Sequence, residues 1–315
     1  MQKEKMLAVV AIGSNALSLI STENNKILKT IYLGRSQHEP TFSPNSKQVW
    51  VSVRGEAYVS VVDVDLMKEV KQIPVADGPG MISFSPDGTI AYVCSSFTPE
   101  LDVIDTKSYQ IIKRIPVVSP FSPIIFTSPK GDWVAMTHKD VGVVTVLNAK
   151  TQTIAKVINT GAITNHVTFS NTNNKLIMLV TVCGENKIRI FDVADDFKQT
   201  DTINVDAIPQ GIWISPDGKQ LYVGLKFSDE VQHIDLQTMK IMTTIKIGQS
   251  PQALVYADNA VTGSTTNAGL TALNDSVATE VVNMLPINQT SLASGRLAIR
   301  TIGLIDLVEQ LFKSL

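Results

Sequence analysis

The feature that most constrains the fold of this chain is an internal repeat of 42 to 45 residues. A segment that begins "FSPNSKQVWVSV" at Phe42 returns as "FSPDGTIAYVCS" at Phe84 and as "ISPDGKQLYVGL" at Ile214. Each copy contains four short runs of apolar residues separated by polar turns, which is the pattern of four β-strands. Repeats of this length and content are typical of β-propeller blades. Five copies are each marked by one turn residue: Pro44, Pro86, Pro129, Asn171 and Pro216.

The two ends of the repeat region predict how the ring closes. Residues Met6 to Gly34 supply only three strands, and "PQALVYAD", from Pro251 to Asp258, is similar to the missing first strand. Pairing them would complete a sixth blade and remove an open sheet edge. A total of seven blades is the alternative if the tail contains a degenerate repeat. We predict an all-β propeller at 1–258, followed by a linker and C-terminal tail at 259–315. The tail ends in apolar residues spaced for one face of an amphipathic helix: Leu304, Leu307, Val308, Leu311 and Leu315.

Composition and charge exclude several classes of function. The chain has 27 Lys and Arg against 29 Asp and Glu and lacks a basic block, so nucleic acid is not an expected partner. Two cysteines cannot build a disulfide scaffold. No apolar run reaches the ~18 residues of a membrane span. No nucleophile-elbow, phosphate-loop or zinc-protease motif occurs, so we predict no catalytic residue and favour binding over catalysis.

Several copies resemble the YVTN-type β-propeller repeat family. The resemblance is carried by "SPDGTIAYVCSS", "LDVIDTKSYQIIKRIPV" and "SPDGKQLYVGLK", and it covers about Met6 to Asp258. It implies the propeller fold and, because such proteins are often exported, a periplasmic or cell-surface location, although the chain shows no signal peptide. The segment "GRSQHEPTFSPNSKQVWVSVRG" is most similar to the haem-binding, cytochrome d1-like propeller of dihaem nitrite reductases. That resemblance implies haem as an alternative cofactor, whereas the residues themselves predict none.

One register position, six residues before the turn anchor, predicts a ring of polar side chains at one mouth of the channel. Small polar groups there suit hydrogen bonds to a ligand. The alternative is that they cap strand ends and hold channel water. The ring consists of His38, Gly80, Asn165, Gln210 and Gln252, with Ser122 or Pro123 at this position in the fourth blade. Glu39 directly follows His38, and His166 directly follows Asn165.

A second register position, ten residues after the anchor, carries a cation in three of five copies: Arg54, Lys139 and Lys226. Cations gathered at one mouth concentrate anionic ligands, and Arg offers a fork that matches a carboxylate or phosphate. We therefore predict that this mouth binds a small anionic ligand or a protein. The alternative is scattered charge, neutralised by acids of the same turns: Glu56, Asp140, Glu185 and Asp229.

Three histidines, His38, His138 and His166, fall on loops predicted to share this face. They would add to an electropositive funnel. No metal-binding spacing supports a compact metal site, and His38 or His166 becomes an axial ligand only if haem is bound. A lactonase or hydrolase-type propeller is a third alternative, for which Glu39 is the only acidic residue in the ring.

Overall fold

The computed structural model describes residues 6–247, 250–251 and 253–255. Within these ranges the chain forms six antiparallel sheets arranged as the blades of a propeller ring. Helical structure in the same ranges is limited to two single 3₁₀ turns, at Ile12–Ser14 and Cys183–Glu185.

The strands are numbered in chain order and grouped by blade. Blade 1 consists of β1 (Met6–Ala11), β2 (Ala16–Ser21) and β3 (Ile27–Tyr32). Blade 2 consists of β4 (Gln37–Phe42), β5 (Gln48–Val53), β6 (Tyr58–Asp63) and β7 (Lys68–Pro74). Blade 3 consists of β8 (Pro79–Phe84), β9 (Ile90–Ser95), β10 (Glu100–Asp105) and β11 (Gln110–Pro116). Blade 4 consists of β12 (Ile125–Thr127), β13 (Trp133–His138), β14 (Val143–Asn148) and β15 (Thr153–Asn159). Blade 5 consists of β16 (Thr164–Thr172), β17 (Lys175–Val182), β18 (Lys187–Asp192) and β19 (Lys198–Asn204). Blade 6 consists of β20 (Pro209–Ile214), β21 (Gln220–Leu225), β22 (Glu230–Asp235) and β23 (Lys240–Lys246).

In blades 2 to 6 the strands follow one another in space as in sequence, and the first strand lies nearest the channel. The first strands of neighbouring blades contact one another around that channel. Burial decreases outwards, since every residue of β8 is buried and every residue of β23 is exposed. The predicted all-β propeller with six blades is therefore confirmed.

The recurrent S-P-D-G sequence builds the turn between the first and second strands of a blade. In blade 3, Ile90 N donates to Ser85 Oγ at 3.0 Å, and Ser85 Oγ donates to Asp87 Oδ1 at 2.6 Å. Gly88 has φ +73°, a left-handed conformation that costs glycine little. The recurring Asp at the end of the third strand caps the next turn, as where Ser108 N donates to Asp105 Oδ1 at 2.7 Å. The repeat thus encodes turn chemistry.

The core lies between neighbouring blades, where aromatic side chains join one sheet to the next. Trp50 of blade 2 meets Phe84 of blade 3 edge to face, with ring centroids 5.2 Å apart. Trp133 of blade 4 and Phe197 of blade 5 form a similar pair at 5.3 Å. Such pairs add roughly 0.5–1.5 kcal/mol each beyond the burial of their area, so packing between blades stabilises the ring.

Part of the predicted closing strand falls on described residues. A Cβ at Gly224 would lie 3.1 Å from the carbonyl oxygen of Pro251, much as one at Gly80 would lie 2.8 Å from that of Pro123. Pro251 thus lies beside the second strand of blade 6, whereas Pro123 lies beside the first strand of blade 3. The rest of the closing strand, including Gln252, and the predicted tail at 259–315 lie outside the described residues. Among those described, no helix has the length and apolarity that a membrane span requires.

Candidate functional site

The predicted site residues lie at one end of the channel, which we name the entry mouth: the end at which β4, β8, β12, β16 and β20 begin. The ring residues stand at the starts of these first strands, whereas the cations follow the second strands directly. Because the first and second strands are antiparallel, both positions share one end of each sheet. The described members of the predicted site are His38, Glu39, Arg54, Lys139, Asn165, His166, Gln210 and Lys226.

A pair of side chains from opposite blades closes the channel below the entry mouth. Glu39 Oε1 of blade 2 lies 3.6 Å from His166 Nε2 of blade 5. The rings of Phe126 and Trp213 meet edge to face beside them, with centroids 5.8 Å apart. The cavity left here measures only about 10 Å³, which is room for about one water. We name the pair of Glu39 and His166 the floor, and the space above it at the entry mouth the bowl.

Burial and the neighbouring charges set the protonation of this floor. Burial lowers the pKa of His38 to about 4, and the charge of Arg54 acts in the same direction although Glu39 opposes it. Burial alone would raise the pKa of Glu39, but its hydrogen bond with His166 opposes burial and helps to bring the pKa below its ordinary value. At neutral pH, His38 is therefore neutral and Glu39 is ionised.

One side of the bowl, which we name the amide half, is formed by Asn165, Thr181 and Gln210. Asn165 Nδ2 donates to Gln210 Oε1, and Thr181 Oγ1 donates to the Gln210 carbonyl at 3.2 Å. His166 N donates to Thr181 Oγ1 at 2.8 Å, and Thr137 Oγ1 donates to the Asn165 carbonyl at 2.7 Å. The predicted polar ring is thus connected by hydrogen bonds on this side.

Two predicted cations border the amide half. Lys226 is only 8% exposed, and its Nζ lies 5.5 Å from the ring centroid of Phe227. Burial raises the pKa of Cys183 to about 12, although the charges of Lys139 and Lys226 oppose this. Both lysines therefore act on the same thiol. A thiol with so high a pKa is no nucleophile at neutral pH.

The opposite side, which we name the arginine half, is formed by Gln37, His38, Ser52, Arg54 and Ser96. The Arg54 guanidinium lies over two aromatic rings, with Cζ 5.2 Å from the centroid of Phe97 and 5.9 Å from that of Phe121. Its Nε is buried and has no hydrogen-bond partner. Burial lowers the pKa of Arg54, against the influence of Cys94. The guanidinium is thus partly desolvated.

The acids expected to neutralise the mouth have other partners. Glu56 pairs with Arg35 at 3.4 Å, and Glu185 pairs with Arg189 at 2.7 Å. Asp140 accepts a hydrogen bond from Ser119 Oγ, and Asp229 accepts one from Ser250 N. Within the described part of the chain, neither Arg54 nor Lys226 has a carboxylate within salt-bridge distance. For these two cations, the alternative of neutralised surface charge is wrong.

The prediction that three histidines fall on mouth loops is also wrong, since His38 lies in β4 and His166 in β16. The placement of His138 differs most. It is the last residue of β13 and fully buried, not part of a mouth loop. Its Nδ1 is hydrogen-bonded to Ser122 Oγ at 2.7 Å and its Nε2 to Thr145 Oγ1 at 2.8 Å. Burial lowers its pKa to about 4, so it adds no charge to the mouth. The segment before β12 folds over it, and the repeat gives no sign of that.

Sequence reasoning missed the aromatic residues beside the cations. Phe97 and Phe227 both stand one position after the cation register, eleven residues after Pro86 and Pro216. Reading one position further along each repeat would have found them. Phe121 lies in the irregular segment before β12 and has no equivalent signal.

The opposite end of the channel holds a larger cavity of about 320 Å³. It lies at the turns between first and second strands of blades 4 to 6, and its lining includes Phe126, Thr168 and Trp213. Asp217 is its only charged lining residue. Its carboxylate accepts hydrogen bonds from Ser215 Oγ and Lys219 N. Over the described residues, no group of three His, Cys, Asp or Glu side chains is placed to hold a metal ion.

Comparison with known proteins agrees with this architecture. A family model described as "YNCE-like beta-propeller" matches residues 1–133 and again residues 126–262. Among solved structures, the chain is similar to "Kuenenia stuttgartiensis Hydrazine Synthase", with a TM-score of 0.73 and 18% sequence identity over 81% of this chain and 87% of that chain. This low identity supports a shared fold and nothing further. No curated protein matches the chain.

Proposed function

Since the chain belongs to the YNCE-like β-propeller family, we propose that it is a binding protein that captures a small anionic ligand at the entry mouth. The family match is in keeping with the resemblance to YVTN-type repeats. A propeller fold carries many functions, so the argument for the ligand rests on the site.

The observation that carries the proposal is the uncompensated charge of Arg54 and Lys226. The two cations come from blades 2 and 6, and neither meets a carboxylate of a described residue. Lys226 is 8% exposed, and the Nε of Arg54 is buried without a partner. The Arg54 guanidinium, partly removed from water without a counter-ion, is costly to bury. An anion that enters the bowl would supply the counter-charge that these cations lack.

The remaining groups of the bowl have roles that fit this ligand. The cations draw the anion from solution, because charges of one sign in a cleft with low-dielectric walls focus the field. The hydrogen bonds among Asn165, Thr181 and Gln210 hold the amide half in place beside the ligand. The floor pair of Glu39 and His166 stops the ligand from passing down the channel. Lys139 adds charge on the same side as Lys226.

The triple variant Arg54→Ala, Lys139→Ala, Lys226→Ala tests the proposal. Thermal-shift and calorimetric titrations would use citrate, benzoate and inorganic phosphate at constant ionic strength. We expect the wild type to bind at least one of these anions and the triple variant to lose at least about tenfold in affinity, since bonds to charged groups contribute about 1.5–3 kcal/mol each.

The matched control is Lys71→Ala, Lys240→Ala, Lys246→Ala. These lysines are exposed on the outermost strands β7 and β23, so the control makes the same change in net charge away from the mouth. We expect its affinity to stay within about twofold of the wild type, because exposed charges at a distance are screened by salt. Equal affinity of the wild type and the mouth variant for every anion bound would contradict the proposal.

Haem and a protein partner stay predictions. His166 is engaged with Glu39, and a cavity of about 10 Å³ beside them has no room for a tetrapyrrole inside the channel. Held by His166, haem would therefore require the floor to open. A Soret band after addition of haem, lost in His166→Ala, would favour that alternative. The protein-partner alternative would be favoured by a protein that co-purifies with the wild type but not with the triple variant of the mouth.

A further inference from the structure

We infer that the arginine half of the entry mouth is a pocket for a planar carboxylate joined to an apolar or aromatic body, with Arg54 as its anchor. This inference rests on the proposed function and narrows it to one half of the mouth and one class of anion.

The first observation is where unpartnered polar atoms gather. Among the described residues, ten buried side-chain nitrogen and oxygen atoms have no hydrogen-bond partner, and six of them belong to the arginine half. Buried polar atoms of native proteins are rarely left unpaired, so a cluster of them indicates a missing partner. The six atoms are Gln37 Nε2, Gln37 Oε1, His38 Nδ1, Ser52 Oγ, Arg54 Nε and Ser96 Oγ.

These residues occupy one small region. His38 and Ser52 are directly opposite each other in the pairing of β4 with β5 and share one face of the sheet, whereas Gln37, paired with Val53, belongs to the other face. Arg54 follows β5 and is close enough for its charge to lower the pKa of His38. Ser96 precedes Phe97, over whose ring the Arg54 guanidinium lies. His38, Ser52, Arg54 and Ser96 thus come from neighbouring positions of blades 2 and 3.

The second observation is the surroundings of the guanidinium. Phe97 and Phe121 take up space around Arg54 that water would otherwise fill, and the Nε edge is left without a partner. An acceptor that lies in the guanidinium plane can bond Nε and one terminal nitrogen together. The two oxygens of a carboxylate have the spacing for this fork.

The third observation is the charge of the pocket. His38 is neutral at physiological pH, because burial lowers its pKa to about 4. Glu39 is paired with His166 in the floor. Arg54 is therefore the one net charge that the arginine half offers among described residues. A single cation matches a monoanionic carboxylate better than a phosphate dianion, whose second charge would stay uncompensated.

The fourth observation concerns the rest of the ligand. Phe97 is 46% exposed at the rim, and Phe121 is half-buried beside it. An apolar group attached to the carboxylate would cover these rings and remove them from water. The pocket therefore selects a carboxylate that carries an apolar or aromatic body over a small hydrophilic anion.

Benzoate is the probe that tests the pocket, with benzamide as its neutral counterpart and inorganic phosphate as the dianion. Calorimetry on the full chain gives the affinities, and the ¹⁵Nε–¹H resonance of Arg54, assigned by its absence in Arg54→Lys, reports contact. We expect benzoate to bind more tightly than benzamide or phosphate and to shift that resonance. Arg54→Lys keeps the charge but loses the fork, so it should weaken benzoate by at least about tenfold.

Two further variants keep the result decisive. Phe97→Leu should weaken benzoate several-fold through lost ring contact, and it tests the pocket even if Arg54→Lys folds poorly. Lys71→Ala removes an exposed cation on the outer strand β7, away from the mouth, and should change benzoate affinity by no more than about twofold. Equal binding of benzamide and benzoate, or unchanged benzoate affinity in Arg54→Lys and Phe97→Leu, would overturn the inference.

The failure of this inference and that of the proposed function are distinguishable. If phosphate binds and depends on Lys226 while benzoate does not bind, the carboxylate pocket is wrong and the anion-binding mouth remains. If none of citrate, benzoate and phosphate binds the wild type, both are wrong.

Discussion

The two halves of the entry mouth contain similar numbers of polar groups but differ in how completely these groups are hydrogen-bonded. In the amide half, Asn165, Thr181 and Gln210 bond to one another and to the backbone. In the arginine half, both amide atoms of Gln37 and the Nε of Arg54 are buried without partners. The amide half is therefore complete within the protein, whereas the arginine half requires a partner from outside. This difference directs the ligand hypothesis to one side of the bowl.

The largest expected effect is a loss of stability on acidification. The arginine half contains the buried, titratable His38, whereas the amide half is formed by the uncharged Asn165, Thr181 and Gln210. The folded pKa of His38 is about 4 against an ordinary value of 6.5. Between these values the unfolded chain binds more protons, so stability is full above about pH 6.5 and falls towards pH 4. The shift corresponds to at most about 3 kcal/mol.

Urea unfolding at a series of pH values from 7 to 4 measures this loss. In His38→Gln, the free energy of unfolding should fall over this range by up to about 3 kcal/mol less than in the wild type. His138 has the same low pKa and stays in the variant, so part of the slope remains. Below pH 4.5 the lowered pKa of Glu39 continues the loss in the same direction. A curve for His38→Gln that parallels the wild type would show that this histidine is not held neutral.

The second prediction breaks the complete half. Asn165→Leu removes the donor to Gln210 Oε1 and leaves that buried oxygen unpaired. An unsatisfied buried group costs about 1–3 kcal/mol, so the free energy of unfolding should fall by about 2 kcal/mol. Chemical denaturation measures it. Asn204→Leu, at an exposed position on the outer strand β19, is the matched control and should stay within about 0.5 kcal/mol.

The third prediction makes the opposite change in the incomplete half. Gln37→Met keeps the side-chain length and removes two buried polar atoms that have no partner. The free energy of unfolding of this variant should be about 1 kcal/mol higher than that of the wild type, because burial of an unpaired amide is unfavourable. A loss of stability equal to that of Asn165→Leu would mean that the two halves do not differ.

The fold could be predicted from the sequence because the repeat encodes it locally. The S-P-D-G turn requires its serine, aspartate and glycine for turn hydrogen bonds and a left-handed φ, so the blade boundaries can be read directly. The positions of the cations followed from the same register, since Arg54 and Lys226 both come directly after a second strand.

The partners of these residues could not be read in that way. The contact between Glu39 and His166 joins residues of opposite blades, and it depends on how far each side chain reaches across the channel. His138 was misplaced because the irregular segment before β12 covers it with Ser122. Whether a buried group is paired depends on contacts between blades, and a register carries no information on these.

The most direct test of the central claim, that the arginine half is the ligand site, is a crystal structure of the protein soaked with 4-iodobenzoate. The anomalous signal of iodine locates the ligand without prior assumption. The account predicts an iodine peak beside Phe97 and Phe121, with the carboxylate on the Nε edge of Arg54. A peak confined to the amide half, or to the cavity at the opposite end that contains Thr168 and Trp213, would contradict it.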